Sequence, residues 1–527
     1  MKKYLIKKEI LLIIISAIIS GMSFTFDYIG IFMWISLTPL IYVFITKVNK
    51  YSQAMRYGLL FGTIYYLIIL HWIFNLYPFE WLDFGNIKSA IILFGGWIFI
   101  SLIEGTVIGA ILGLFSICKM KNNFLNITII ASLWGVIEYV QEQGVLGFPW
   151  GKLVISQVSY LPIVQSVSLF GSIFISFIIV IFNGLISLSV IEYKKDSITF
   201  IKTIIVAIVI FSTNILYGFI KLNGNEFGNK VNITVIQGNI NTSEKWQQGD
   251  EIRSFEIYRE LTKEAFEDNN NNKYKAELIF WPETAVPIDI SKSKWALDEY
   301  KDIACNYEAT FMTGTFYTDL KNDNIKYNSI VAINKDGNIE NIYFKRQLVP
   351  FGEILPFEKF ISKIIPSVGK LNLFDGNLKP GEESGIIDNN DLKIGCLICF
   401  ESLFPNLVRN TVNDGAELIF IATNDSWFKD SKAVYQHNKN AIIRAIENNR
   451  YVVRAANTGI SSIVDNNGKV IMYLNPLDRG YINSSVKLIS KNSLYSKIGD
   501  IIVVAAIVLI IIVILRKMIK NKILLRK

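Results

Sequence analysis

Residues 392–401 read LKIGCLICFE, an apolar run that ends at a cysteine followed by an aromatic residue and a carboxylate. A short apolar run of this kind is typical of a buried strand. In α/β folds the C-terminal end of such a strand faces the cleft where ligands commonly bind. Cys399 is therefore a candidate nucleophile. Cys396 and Cys399 also fit two ordinary core cysteines or a Cys-x-x-Cys pair.

Two further apolar stretches end in charged residues. Residues 277–287, ELIFWPETAVP, lead into Glu283, and residues 341–353, NIYFKRQLVPFGE, place Lys345 at the end of an apolar segment. A single charge at a strand end is usually a solvated rim charge. Three strands that deliver a carboxylate, an amine and a thiol in chain order indicate a catalytic group.

The order Glu, Lys, Cys resembles the triad of the carbon-nitrogen hydrolase (nitrilase) superfamily. Four motifs are similar to those of one membrane-embedded branch, the apolipoprotein N-acyltransferases: WPETAVP at 281–287, LVPFGE at 348–353, CFE at 399–401 and NDSWF at 424–428. That branch has membrane helices on both sides of its nitrilase-like domain, so the resemblance covers nearly the whole chain. It implies a four-layer αββα sandwich for the polar part.

The chemistry of the three residues agrees with the roles that the resemblance implies. A free thiol has a pKa of ~8.5 and needs a base or a positive neighbour before it attacks. Glu283 is expected to accept the thiol proton and Cys399 to act as the nucleophile. Lys345 is expected to stabilise the oxyanion, helped by the backbone N–H that follows Cys399.

Two carboxylates flank the proposed triad. Glu353 and Glu401 are expected to hold the Lys345 amine in place and keep it protonated. Ordinary structural ion pairs with Lys345 or Arg346 are the alternative.

The resemblance marks two aromatic residues, Trp246 and Phe351, as lining a lipid-facing pocket, although each also fits a plain core or surface aromatic. Phe400 stands where this branch often has a tyrosine, so the ring is kept and the hydroxyl is lost. A Cys-His mechanism would need His437, for which we expect a packing or rim role instead.

Composition divides the 527 residues into membrane and polar parts. Hydrophobic residues make up 51% of the chain, and they concentrate in residues 1–220 and 498–515. Residues 221–497 have the polarity of a globular domain, and residues 516–527 form a basic tail. The net charge of +8 comes from lysines and arginines beside the apolar spans, which favours membrane topology over nucleic-acid binding.

Eight apolar stretches have the roughly 20 residues needed to cross ~30 Å of hydrocarbon. They are 9–26, 28–46, 56–76, 89–117, 126–143, 164–191, 201–220 and 498–515. The sequence thus predicts a polytopic α-helical membrane domain of seven helices in residues 1–220, an α/β catalytic domain in 221–497 and an eighth helix. Glu104 and Glu138 lie within or near these spans, where a charge is costly unless it is paired.

Basic residues predict the orientation, because short cytoplasmic loops collect Lys and Arg. They cluster before the first span, after the second, fourth and eighth, and between the sixth and seventh: Lys2, Lys3, Lys7, Lys8, Lys47, Lys50, Arg56, Lys119, Lys121, Lys194, Lys195, Lys202, Arg516, Lys517, Lys520, Lys522, Arg526 and Lys527. Both termini are therefore expected in the cytoplasm, with 221–497 on the outer face of the cytoplasmic membrane. Aromatic loops on that side, YPFEW at 77–81 and GFPWG at 147–151, fit an interfacial belt or a lipid-entry rim.

Metal and disulfide chemistry are not expected. Four cysteines form no disulfide framework, although one bridge involving Cys305 or Cys396 stays open. One Cys-x-x-Cys and two histidines do not make a zinc site, and we expect neither a metal nor another cofactor.

Within 221–497, strand-like runs alternate with helical patterns. Strands are predicted at 231–237, 277–281, 310–315, 328–333, 392–399, 417–423 and 460–465, and helices at 252–266 and 434–449.

The resemblance implies a two-step acyl transfer. A membrane phospholipid would give a fatty acyl group to Cys399 as a thioester, and the α-amine of a diacylated apolipoprotein would take it as an amide. The alternatives are a membrane-anchored amidase or nitrilase-type hydrolase of a small amide, and a catalytically inactive scaffold or transporter.

Overall fold

The computed structural model describes residues 7–78, 85–224, 227–241, 245, 249–269, 275–322, 325–356, 378–389 and 392–524. Helices occupy most of the chain up to residue 222. They are α1 Lys8–Thr25, α2 Met33–Ser36, α3 Thr38–Lys47, α4 Tyr51–Ile69, α5 Asn86–Gly113, α6 Phe115–Cys118, α7 Asn123–Val140, α8 Leu161–Val164, α9 Val167–Phe170, α10 Ser172–Glu192 and α11 Ser197–Leu222.

Seven helical segments of the described chain are long and apolar enough to cross a membrane. They are Lys8–Thr25, Asp27–Lys47, Asn86–Cys118, Asn123–Val140, Ser172–Glu192, Ser197–Leu222 and, at the C-terminal end, Ile501–Lys520. The predicted span at 56–76 corresponds to α4 and a short 3-10 helix, His71–Leu76. Polar residues such as Gln53 and Arg56 make α4 less apolar than the seven.

Helix α4 nevertheless packs tightly against α5. A Cβ atom on Gly58 would lie 2.8 Å from the Cα of Gly109, and one on Gly62 would lie 2.8 Å from the Cα of Gly105. Small residues four apart on both helices let the two backbones approach closely, which is how membrane helices associate when apolar burial cannot drive them together. This contact fixes α4 inside the bundle despite its polar residues.

The polar part contains two six-stranded sheets in its described residues. The strands are β1 Asn229–Gln237, β2 Leu278–Phe280, β3 Thr310–Asp319, β4 Ile325–Ile333, β5 Ile339–Phe344, β6 Ile386–Asn389, β7 Leu392–Ile398, β8 Leu418–Thr423, β9 Tyr451–Ala456, β10 Ser461–Val464, β11 Val470–Leu474 and β12 Gly480–Leu488. The first sheet has the order β12-β1-β2-β3-β4-β5, and the second has the order β11-β10-β9-β8-β7-β6. The predicted strands are present, while β6, β9, β11 and β12 were not predicted.

The two sheets pack face to face over an apolar core. Side chains from both sheets share one buried cluster, in which the rings of Phe280 and Phe420 lie 4.5 Å apart. Helices α12 (Asp250–Asn269) and α13 (Lys294–Asn306) cover the outer face of the first sheet. Helices α14 (Pro405–Asn413) and α15 (Lys432–Asn448) cover that of the second. The fold is therefore the αββα sandwich that the resemblance implied.

The α14 and α15 layer also touches the membrane helices, because its buried side chains belong to the same apolar cluster as the bundle. Trp150 Nε1 donates to Gln436 Oε1 at 2.7 Å, and the Ser172 backbone N–H donates to Glu447 Oε1 at 2.7 Å. After the sandwich come α16 (Leu494–Ile498) and α17 (Ile501–Leu524), which returns to the bundle.

Candidate active site

The predicted triad meets at one edge of the sandwich. Lys345 follows β5 directly and Glu283 lies three residues after β2, so both come from the first sheet. Cys399 follows β7 in the second sheet. Because the sheets pack face to face, the Lys345 ammonium group lies close enough to both Glu283 and Cys399 to interact with them electrostatically.

Lys345 is buried between two carboxylates. Its Nζ donates to Glu353 Oε1 at 2.9 Å and lies 3.4 Å from Glu283 Oε1. Burial alone lowers the pKa of the amine, but Glu353, then Glu283 and Cys399, outweigh this effect and hold that pKa above its ordinary value. Lys345 therefore carries a fixed positive charge at neutral pH.

Glu283 is held by neutral donors as well. Asn328 Nδ2 donates to its Oε1 at 2.8 Å, and the Asn424 backbone N–H donates to its Oε2 at 2.9 Å. The backbone here is crowded: Thr284 has a φ of +43°, and a Cβ on Gly314 would lie 2.5 Å from the Cα of Glu283. These contacts orient the carboxylate that the sequence proposed as the proton acceptor.

Cys399 occupies a sharp turn between β7 and a short 3-10 helix, Cys399–Leu403. Its φ is +52°, a left-handed conformation that a residue with a Cβ rarely adopts. Burial and the Glu283 carboxylate raise the pKa of the thiol well above its usual range, while Lys345 acts in the opposite direction. This environment therefore favours the thiol form of Cys399 over the thiolate.

Glu353 and Glu401 have different positions. Glu353 contacts the Lys345 amine, as expected, and its Oε2 accepts the Val349 backbone N–H at 2.9 Å. Glu401 is fully buried and binds backbone instead. Its carboxylate accepts the N–H groups of Arg346 and Ile398, both at 2.7 Å. Glu401 thus ties the turn after Lys345 to the end of β7.

Glu401 also accepts the Tyr343 hydroxyl and the Gln347 N–H, at 2.7 Å and 3.1 Å. Four of its described hydrogen bonds come from the segment that carries Lys345, and one comes from Ile398, the residue before Cys399. It joins the two sheets beside the reacting groups.

Comparison with known proteins agrees with this architecture. Residues 232–488 match the carbon-nitrogen hydrolase family, and residues 16–185 match the apolipoprotein N-acyltransferase N-terminal domain. Proteins named apolipoprotein N-acyltransferase align over most of the chain. The one from Geobacter metallireducens is 28% identical over 94% of this chain and 92% of its own.

The corresponding protein from Borreliella burgdorferi is 29% identical over 83% of this chain and 82% of its own. That from Wigglesworthia glossinidia brevipalpis is 30% identical over 72% of this chain and 73% of its own. The chain belongs to the apolipoprotein N-acyltransferase family. It is an enzyme of that family, with membrane helices and a nitrilase-like domain.

The aromatic residues that the family resemblance marked differ in their exposure to solvent. Phe400 is buried, and its ring lies 6.2 Å from that of Phe148 in the membrane part. Phe351 is 51% exposed and has a φ of +62°. Trp246 lies outside the described residues. Phe400 therefore joins the nucleophile turn to a membrane loop, whereas Phe351 stands at the surface.

The sequence did not predict a role for Lys245, which is a second buried lysine beside the site. Its Nζ donates to Thr284 Oγ1 at 3.2 Å. Burial lowers the pKa of this amine to about 7, and Glu283 only partly offsets the effect. Lys245 and Lys345 thus have opposite pKa shifts, and both interact electrostatically with Glu283. Lys245 precedes the proposed pocket residue Trp246, which was the only sequence signal for it.

His437 lies inside the domain and not at its rim. Its Nδ1 is 2.9 Å from Asp425 Oδ1, and its Nε2 is 3.1 Å from the carbonyl oxygen of Cys399. Side-chain atoms of Cys399, Asp425 and His437 that could bind a metal lie within 4.8 Å of one another. Both ring nitrogens already face these partners, so the geometry leaves no imidazole nitrogen for a metal ion.

The Asp425 carboxylate is held by Arg454, whose Nη2 donates to Oδ2 at 2.6 Å. Burial opposes its ionisation, but Arg454 and His437 outweigh that effect and lower the pKa of Asp425. The NDSWF motif that begins at Asn424 was the signal for this group, because it follows β8 at the same edge of the sandwich.

Proposed function

We propose that this enzyme moves a fatty acyl group from a membrane phospholipid to the N-terminal α-amine of the S-diacylglyceryl-cysteine of apolipoproteins, through a thioester on Cys399. The observation that carries the proposal is a buried thiol, ammonium and carboxylate in a sandwich whose α14 and α15 layer packs directly on a bundle of apolar helices. A hydrolase of small soluble amides does not require such a bundle.

In the first step the Cys399 sulfur attacks the ester carbonyl carbon of the phospholipid. Glu283 accepts the thiol proton, because the raised pKa of the thiol prevents its loss beforehand. Lys345 and the N–H that follows Cys399 stabilise the oxyanion. The ester C–O bond then breaks, the proton passes to the departing alkoxide, and a lysophospholipid leaves an acyl thioester.

In the second step the α-amine of the acceptor attacks the thioester carbonyl. Glu283 takes a proton from the attacking nitrogen, the C–S bond breaks, and the sulfur of Cys399 regains its proton. The product is an amide. A site that excludes water protects the thioester from hydrolysis until the amine attacks it.

Both substrates are anchored in one leaflet, so an enzyme held at that leaflet meets them at a high effective concentration. From the distribution of lysine and arginine we infer that both termini lie in the cytoplasm and that the sandwich lies on the extracytoplasmic side of the cytoplasmic membrane. The Trp150 loop, which donates a hydrogen bond to Gln436 of α15, lies between the bundle and the sandwich and belongs to the proposed lipid-entry rim.

The test is mass spectrometry of the Cys399 peptide. The full chain in nanodiscs of phosphatidylethanolamine and phosphatidylglycerol should gain one acyl chain on that peptide, and a diacylated lipopeptide should remove it and become triacylated. Cys399→Ala should show neither event. Cys396→Ala is the matched control, because Cys396 is buried in the core between the sheets and should leave labelling intact.

Two results would overturn the proposal. Turnover of small amides without acyl labelling would identify a membrane-anchored hydrolase. Normal lipoprotein maturation by Cys399→Ala would identify a non-catalytic scaffold.

A further inference from the structure

In the peptide group between Cys399 and Phe400, the carbonyl oxygen contacts two side chains. Its carbonyl oxygen, on Cys399, accepts the Ser402 hydroxyl at 2.9 Å and lies 3.1 Å from His437 Nε2. The nitrogen of the same peptide group belongs to Phe400, and its N–H is the one proposed to receive the oxyanion. Contacts to the Cys399 carbonyl oxygen therefore influence the Phe400 N–H of the same peptide group.

The contacts of His437 Nε2 suit a hydrogen-bond donor. Ser402 has one hydroxyl hydrogen, which points to the Cys399 carbonyl. Nε2 faces that carbonyl and the Ser402 oxygen, 3.1 Å away, and a carbonyl oxygen can only accept. A hydrogen bond from Nε2 to this carbonyl requires the tautomer with a hydrogen on Nε2, and Arg454 Nη2, 3.1 Å from Nδ1, is a donor that Nδ1 can accept in that tautomer.

The ring itself is fixed from behind. Asp425 lies 2.9 Å from Nδ1, and Arg454 holds Asp425 while its Nε donates to the Ile460 carbonyl at 3.2 Å. His437, Asp425 and Arg454 are all buried. This arrangement leaves the imidazole little freedom to turn away from the nucleophile turn.

We propose that His437 is a positioning residue that sets the direction and polarity of the Phe400 N–H by donating to the carbonyl of Cys399. The inference rests on the proposed acyl transfer. A peptide group is planar, so holding its oxygen also aims its N–H. A hydrogen bond accepted at the oxygen also strengthens the N–H as a donor. The same contact stabilises Cys399 at its positive φ.

Two variants separate this role from simple packing. Gln is long enough to place an amide N–H near the position of Nε2, whereas Asn reaches only the position of Nδ1. His437→Asn should slow single-turnover formation of the Cys399 thioester by about 100-fold, the loss expected when a reacting geometry is displaced. His437→Gln should recover much of that rate. KM for phospholipid should change little in either variant, because the contact acts on the oxyanion and not on the bound lipid.

Alkylation by iodoacetamide gives an independent readout, since that reaction forms no oxyanion. Both variants should keep an alkylation rate close to that of the wild type. Equal acylation by His437→Asn and His437→Gln, or parallel losses of acylation and alkylation, would overturn the inference and leave His437 a structural residue.

Ser402→Ala provides a second test that does not alter the histidine. It removes the other donor to the same carbonyl and should also slow acylation more than alkylation. If Ser402→Ala and His437→Asn both form the thioester at the wild-type rate, the role of this peptide group is contradicted. Absence of a thioester in the wild type would instead contradict the acyl transfer itself.

Discussion

The two sheets contribute to the site in different ways. The first sheet supplies charges that hold one another, since Lys345 lies between Glu353 and Glu283. The second sheet supplies Cys399, the proposed nucleophile, whose backbone is held by Glu401 at the N–H of Ile398 and by His437 at the Cys399 carbonyl. We therefore expect reactivity to depend on electrostatics in one half of the site and on backbone geometry in the other.

The helical layers outside the two sheets differ as well. Helix α12 keeps a solvent-exposed side, on which Arg259 pairs with Glu256. Helix α15 is buried on all sides from Gln436 to Asn448, because it lies between the second sheet and the membrane bundle. Its polar residues bind across these two interfaces instead of facing water. The half of the domain that holds the nucleophile is also the half attached to the membrane.

Changes to the charges of the first sheet should have the largest effect on activity. Glu283→Gln and Lys345→Met should each reduce acyl transfer by at least about 100- to 1000-fold. Their effects on the thiol should be opposite. Glu283 raises the pKa of Cys399, so its neutral substitute should speed alkylation at alkaline pH. Lys345 lowers that pKa, so Met should slow alkylation.

The measurement is the pH profile of iodoacetamide alkylation at Cys399, followed by mass spectrometry in detergent. The wild-type rate should rise only at alkaline pH, because the folded environment disfavours the thiolate. Shifts of both variants in the same direction would show that neither charge acts on the sulfur as proposed.

Removal of a buried charge from α15 should have the largest effect on stability. Glu447 accepts the Ser172 N–H and lies 3.1 Å from Arg444 Nη2, with both side chains fully buried. Glu447→Ala removes the carboxylate paired with this buried guanidinium and should cost about 3 to 5 kcal/mol. Chemical unfolding in detergent, monitored by tryptophan fluorescence, measures it. Glu447→Gln keeps an acceptor for Ser172 and should lose less; an equal loss would contradict this assignment.

Glu353 should have a smaller effect on activity than Glu283. Glu353→Gln removes the charge nearest to the Lys345 amine and should lower the pKa of that amine, since Glu353 is the strongest of the groups that raise it. Loss of a hydrogen bond to a charged group is typically ~1.5 to 3 kcal/mol, which predicts about a 10- to 100-fold fall in kcat. Steady-state transfer to a diacylated peptide checks it. A loss as large as that of Lys345→Met would show that Glu353 takes part in the chemistry.

Substitutions on the solvent-exposed side of α12 should hardly change the stability of the protein. Arg259 and Glu256 are about half exposed, with side chains 49% and 51% accessible. Arg259→Ala should change the free energy of unfolding by less than about 0.5 kcal/mol. The unfolding assay used for Glu447→Ala measures it under the same conditions. A loss comparable to that of Glu447→Ala would remove the distinction between the two outer layers.

The meeting of Glu283, Lys345 and Cys399 could be predicted because each follows an apolar strand, and strand ends are visible in a sequence. The strand β9 could not, since its central Arg454 interrupts the apolar run and is balanced by Asp425 from the segment that follows β8. The role of Glu401 was also hidden, because its partners are backbone N–H groups that folding brings together from two sheets.

Helix α15 shows the same limit. Its polar residues are typical of a solvent-exposed helix, and only the contact with the bundle explains their burial. The membrane helices were easier to predict, because hydropathy is a local property. The span at 56–76 was predicted in the same way, although α4 is less apolar than the seven other segments and is also held by glycine contacts with α5.

The interlocked glycines of α4 and α5 have a consequence for how lipids reach the enzyme. The two backbones lie so close that even one added methyl group would clash, which leaves no gap between them for a hydrocarbon tail. We therefore expect that seam to stay closed throughout turnover, so that acyl chains enter and leave between other pairs of helices.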